Sequence, residues 1–142
     1  MFKMKIVIKV IYIIILFFLF SCSEDERRIS LNETFVLQYG ETKTLDGDHL
    51  SVTFSSLTGD SRCPANATCI WAGQAIVQID IQEGMQSHPT ELVIGTLSED
   101  QKSKTVINHY QVELLKVIPY PEIPEVNIPA DQYAVQLIIT SL

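Results

Sequence analysis

Basic residues are scarce in this 142-residue chain, with ten Lys and Arg against seventeen Asp and Glu and a formal charge of −7 at pH 7. A nucleic acid is bound through a stripe of cations that displaces its counterions, and no such stripe is present, so no nucleic-acid partner is expected. Cysteine and histidine are rarer still, at three each. There is no pair of Cys-x-x-Cys hairpins and no His-Glu-x-x-His, so no metal and no cofactor is expected. A Gly-x-Ser-x-Gly elbow and a glycine-rich phosphate loop are also missing, and the chain therefore does not read as an enzyme. Helical periodicity is absent throughout. What is present instead is alternation, one apolar and one polar residue in turn, from Thr34 almost to the C-terminus.

The N-terminus follows a different pattern. Met1 to Lys9 carries three lysines and no acid, Val10 to Phe20 is an uninterrupted apolar run, and Ser21-Cys22 comes directly after. This is the charged, apolar, small-residue order of a secretory signal, and it falls short of the roughly 20 apolar residues needed to span a bilayer. Leu19-Phe20-Ser21-Cys22 resembles the lipobox of bacterial lipoproteins, in which the cysteine is acylated and becomes the mature terminus. An uncleaved anchor and a plain signal are the alternatives. The lipobox reading divides the chain into a signal peptide (1–21), a lipidated Cys22 with a polar tether (22–32) and a single β-domain (33–142). Loss of Lys3, Lys5 and Lys9 leaves seven basic residues against seventeen acidic ones, a formal charge of −10. The acidic run after Cys22 resembles the export signal of Bacteroidota-type surface lipoproteins, while an ordinary spacer facing the periplasm fits it equally. The expected location is the cell envelope, lipid-anchored to the outer membrane on its periplasmic or surface face, and the expected state is a monomer.

The remaining residues are enough for one core and too few for two. Phe35, Leu37 and Tyr39 alternate, Thr42 to Leu45 gives a short strand, and Leu50, Val52 and Phe54 share a face. Ala75, Val77, Ile79 and Ile81 form the clearest half-buried strand. Glu91 to Thr96 is expected to begin the next, after a proline-containing loop, and Ser98 to Lys104 is expected to be an exposed connection. Val106 to Ile118 reads as one long strand whose phase changes near Leu114-Leu115, as at a β-bulge. A proline-punctuated crossing from Pro119 to Pro129 precedes a last strand carrying Tyr133, Val135, Leu137 and Ile139. Seven or eight mostly antiparallel strands predict an all-β fold, a sandwich or a small barrel. The crossing favours the sandwich, because it suits a connection between sheets.

One stretch departs from the alternation. Asp60-Ser61-Arg62-Cys63-Pro64-Ala65-Asn66-Ala67-Thr68-Cys69-Ile70-Trp71-Ala72-Gly73 holds the only Trp and the other two cysteines. With Cys22 acylated, Cys63 and Cys69 are an even pair beyond the cytoplasm, where a disulfide is expected. Ligation of a metal with His49, His88 or His109 is the competing reading. Asn66 is expected to supply a left-handed residue at the loop tip. Asp60 and Arg62, two positions apart, are expected to form a local ion pair, with Arg62 bonding carbonyls of the cross-linked loop. The alternative is an arginine that receives a carboxylate or phosphate. Trp71 is expected to be a partly buried plug over the disulfide, with a ligand-stacking platform as the alternative, and Gly73 to let the strand approach a neighbour closely or bulge.

The pattern Asp-Ser-Arg-Cys-Pro, four residues, Cys, one residue, Trp-Ala-Gly resembles the signature of a group of bacterial secreted proteins and lipoproteins. A tyrosine-led strand ending in Pro-Tyr-Pro, here Tyr110 to Pro121, is a further point of similarity. The resemblance implies a single β-domain and carries no activity. Three functional classes follow. The favoured one is a non-catalytic module that binds a protein, glycan or small molecule through loops near Arg62, Trp71 and Tyr120. The others are an inhibitor of secreted proteases that presents the Cys63–Cys69 loop, and a small periplasmic enzyme using Asp60 and Arg62 with a histidine.

Overall fold

The computed structural model describes residues 27–47, 49–124 and 127–142. The signal segment, Cys22 and the tether as far as Glu26 lie outside the described residues. Among the described residues nine strands are formed: β1 (Arg28–Ile29), β2 (Thr34–Gln38), β3 (Thr42–Leu45), β4 (Leu50–Asp60), β5 (Gln74–Glu83), β6 (Gln86–Gly95), β7 (Lys104–Ile107), β8 (Tyr110–Ile118) and β9 (Ala134–Ser141). They make two sheets, ordered β1-β3-β4-β5-β6 and β2-β9-β8-β7. All neighbours are antiparallel except β1 and β3. The two sheets pack as a sandwich and do not close into a barrel.

Period-2 alternation builds the core directly. Leu50, Val52 and Phe54 of β4 and Ala75, Val77, Ile79 and Ile81 of β5 are essentially inaccessible, and they meet Leu37, Val112, Leu114, Val135, Leu137 and Ile139 of the second sheet. Each such side chain contributes about 1.5–3 kcal/mol of transfer free energy, and this burial, not strand propensity, sets the register.

Four expectations need correction. Residues 28–32 belong to the folded unit and not to the tether: Ile29 is buried in the core, and the Asn32 N–H donates to the Ile139 carbonyl at 2.8 Å. Strand β6 begins at Gln86 and runs through Pro89, which pairs with Asp80. It can do so because β6 is the outer strand of its sheet. The Val93 N–H points away from β5 to the Lys102 carbonyl at 2.8 Å, and the unbroken pairing puts Pro89 on that same outward parity. A missing N–H there costs no ladder bond.

The long strand read over 106–118 is instead a hairpin, β7 and β8, turning at Asn108 with φ of 49°. The bulge expected near Leu114-Leu115 is present, as a register shift between Leu114 and Lys116. Finally, the proline crossing joins β8 to β9, which are neighbours in one sheet, so it does not change sheets. It rests on the opposite sheet's longest hairpin, where the Ala65 and Asn66 N–H groups donate to the Pro121 and Glu122 carbonyls at 2.9 and 3.1 Å.

This arrangement gives the sandwich two unlike ends. One carries short turns at 46–47, 84–85 and 108–109, with an Asn108–Glu83 side-chain hydrogen bond between sheets. The other carries the β4–β5 connection, the end of β6 and the proline crossing. Strand β7 pairs with β8 only as far as Glu113, and one further bond joins the Leu114 N–H to the Ser103 carbonyl, so at this second end no described strand covers the outer edge of β8.

Candidate functional site

The β4–β5 hairpin continues beyond its last ladder pair. The Ser61 N–H donates to the Gln74 carbonyl at 2.8 Å and the Cys63 N–H to the Ala72 carbonyl at 2.9 Å. Asp60 and Arg62, at i and i+2 of this extended run, project to one side of the chain. There they form a two-pronged pair: Arg62 Nε donates to Asp60 Oδ1 at 2.8 Å and Nη2 to Oδ2 at 2.6 Å. Both side chains are 7% exposed. Arg62 then reaches into the second sheet, donating from Nη1 to the Val117 carbonyl at 2.6 Å and from Nη2 to the Pro119 carbonyl at 2.8 Å. Four of its five N–H groups are thus engaged. The carbonyls belong to the end of β8 and the crossing and not, as expected, to the cross-linked loop.

Tyr133 completes the cluster by donating its hydroxyl to Asp60 Oδ2 at 3.1 Å. Burial pushes the Asp60 carboxyl up, but the hydrogen bonds and charge of Arg62, with help from Tyr133, more than offset it, and the group is held below its ordinary value. The Tyr133 hydroxyl is pushed up, first by burial and then by the neighbouring Asp60 charge. Asp60 is therefore an ionised structural acceptor at neutral pH.

Cys63 and Cys69 form a disulfide with their Cα atoms 5.9 Å apart, so neither thiol is a metal ligand. The chain-entropy argument assigns so short a loop only about 2 kcal/mol, and its larger effect is on local shape. Tyr120 ties this loop to the crossing: its hydroxyl donates to the Cys63 carbonyl at 2.9 Å, and its ring lies 4.9 Å from the Arg62 guanidinium carbon. Asn66 is not left-handed; among the described non-glycine residues that conformation falls to Asn32 and Asn108.

Two glycines let backbone pass close to backbone here. Gly73 has φ of +70°, and a Cβ on it would stand 1.8 Å from the Ser61 carbonyl oxygen. Gly95 has φ of +114°, and a Cβ on it would stand 2.4 Å from the carbonyl oxygen of Gly73. Only glycine fits either position.

Trp71 does not plug the disulfide. It is 58% exposed, beside a fully exposed Ile70. The residues that follow this pair, Ala72 and Gly73, border a cleft of about 540 Å³, together with Ile94 and Gly95, β8 from Lys116 to Ile118, Arg62 and Tyr120. A smaller cleft of about 220 Å³ lies across Arg62, toward Pro121, Ile128 and Tyr133. Comparison with protein-family models, with curated proteins and with solved structures returned no match. The reading of the site therefore rests on its geometry.

That geometry gathers Asp60, Arg62, Cys63, Gly73 and Tyr120 into one cluster and leaves Trp71 outside it on the surface. Neither cleft bordered by Arg62 is lined by a histidine. His88 faces Ile81 across β5–β6, His49 borders a separate cleft by Asp46, and His109 lies in the β7–β8 turn. Sequence reasoning missed Tyr133 as the third member of the cluster, although a signal existed. Tyr133 stands in phase with Val135, Leu137 and Ile139, and a tyrosine on an inward face needs an acceptor for its hydroxyl. The cleft residues Ile94, Gly95, Lys116 and Ile118 gave no such signal, because they converge only when the two sheets meet.

Proposed function

We propose that this chain is a lipid-anchored, non-catalytic binding module of a bacterial envelope, tethered through an acylated Cys22. Its ligand enters the cleft between the β6 end and the open edge of β8. The observation that carries the reading is how the polar groups are used. Arg62, the most reactive-looking cation of the site, has its donors taken up by Asp60 and two backbone carbonyls, while the surface beside it is apolar and concave. A catalytic arginine needs donors aimed at substrate, and a binding cleft needs apolar walls with a few polar groups. The second class favours this molecule.

The inhibitor reading fares less well on the same grounds, because the N–H groups at the tip of the Cys63–Cys69 loop are bonded to Pro121 and Glu122. An outer-membrane location and a monomeric state complete the proposal, and mass spectrometry of the envelope-extracted protein checks the anchor as an acylated Cys22 at the terminus.

Amide-shift mapping tests the site. Residues 22–142 carrying Cys22→Ser, labelled with ¹⁵N, are titrated with a panel of soluble glycans, peptides and amphiphiles. The expected shifts concentrate at Ala72–Gln74, Ile94–Gly95 and Val117–Tyr120. Binders that map instead to the Thr44–His49 end, or a cleft silent to the whole panel, would refute the proposal.

A further inference from the structure

The cleft has a chemical bias that narrows its ligand. Seventeen acidic residues are spread over the chain, and among the described residues none lines this cavity. Its cations are Arg62, already matched by Asp60, and Lys116. The ion pairs of the described residues join Arg28 to Asp46, Lys43 to Glu41 and Arg62 to Asp60, and Lys116 belongs to none of them. An ammonium group unmatched by a carboxylate, beside walls made by Ile94, Val117 and Ile118, is complementary to one negative charge on an apolar body. Ala72, Gly73 and Gly95 carry one side-chain carbon or none, which leaves the volume open.

Resting on the proposed binding role of this cleft, we infer that it takes a single-headed anionic amphiphile. The apolar chain lies along Ile94, Val117 and Ile118, and the carboxylate or phosphate head meets Lys116. The volume of about 540 Å³ falls in the range of small-molecule sites and suits a medium-length alkyl chain. A peptide adding a strand to the open β8 edge is the competing occupant, and the structure disfavours it. The Val117 and Pro119 carbonyls that would accept its ladder bonds already accept from Arg62.

The test uses residues 22–142 with Cys22→Ser, so that no acyl group competes, and Trp71, next in the chain to the cleft residue Ala72, as the fluorescent reporter. Dodecanoate, dodecyl phosphate and dodecyltrimethylammonium are titrated below their micellar concentrations, with amide shifts recorded in parallel. One or both anions are expected to bind at Ile94–Gly95 and Lys116–Ile118, the tighter one naming the head as carboxylate or phosphate, and the cation is expected to bind at least about tenfold more weakly. Lys116→Glu is expected to remove that preference, and Ile118→Glu to weaken all three. Both residues are exposed, and an unchanged unfolding midpoint shows that each variant folds. Equal binding of anion and cation, or indifference to Lys116→Glu, would overturn the inference. If other members of the ligand panel still shift the cleft amides, only this inference falls; if nothing shifts them, the binding role falls with it.

Discussion

Within a dozen residues the chain treats two pairs in opposite ways. Asp60 and Arg62, both charged, are buried between the sheets, whereas Ile70 and Trp71, both apolar, stand in solvent. Ordinary partitioning would reverse the two. The inner pair is tolerable because both carboxylate oxygens and four of the five guanidinium N–H groups have partners: the carboxylate takes Arg62 and Tyr133, and the guanidinium takes the carboxylate and the Val117 and Pro119 carbonyls. The outer pair has no such account in the fold; it precedes the cleft residues Ala72 and Gly73 in the chain, and exposed apolar surface of this kind supports the proposed binding role. The difference teaches which residues to assign to architecture and which to recognition. Charged residues hold this end together, and under the proposed binding role the exposed apolar ones are the pair left to meet a ligand.

Breaking the inner pair gives the largest effect. Arg62→Ala leaves the Asp60 carboxylate with only Tyr133 as side-chain donor and the Val117 and Pro119 carbonyls without the guanidinium, and is expected to cost about 3 kcal/mol in urea unfolding. Arg62→Lys is expected to recover only a minor part, since an ammonium cannot bridge a carboxylate and two carbonyls in one plane.

Acidity sharpens the same comparison with a smaller effect. Asp60 titrates below its unfolded value, so its contribution is complete above about pH 4 and is lost as pH falls through the depressed value. Tyr133 titrates above its unfolded value, so its contribution is complete below about pH 10 and is lost as pH rises through the raised value. Tyr133→Phe is expected to cost about 1 kcal/mol at neutral pH and to remove its share of the alkaline loss, measured as unfolding midpoints across the pH range. The exposed pair is expected to show the least, with Ile70→Ser/Trp71→Ser shifting stability by no more than about 0.5 kcal/mol.

The sandwich was legible wherever one face of a strand is wet. The Ala75–Ile81 and Val135–Ile139 alternations became β5 and β9 with their expected faces inward, and the phase change at Leu114-Leu115 is a real bulge. Legibility failed where context overrides local signals. Pro89 reads as a loop residue until β6 is known to be an edge, and Asn108 reads as part of a strand until its left-handed turn is seen. The crossing reads as a change of sheet until β8 and β9 are found side by side.

At the site, the Cys63–Cys69 disulfide and the Asp60–Arg62 pairing are local in sequence and could be anticipated. The acceptors of Arg62 lie 55 and 57 residues away, and nothing in the order of residues connects them. Trp71 was misjudged because an aromatic beside a cysteine usually covers it; here the turn that follows, fixed by Gly73 against the Ser61 carbonyl, leaves the indole more than half exposed.

The most direct test is urea unfolding of Arg62→Ala beside the Ile70→Ser/Trp71→Ser double variant, in one buffer at neutral pH. A loss of several kcal/mol for the first with a near-parental midpoint for the second is the predicted result. Comparable losses for both, or a larger one for the double variant, would contradict the assignment of the charged pair to the scaffold and the apolar pair to recognition.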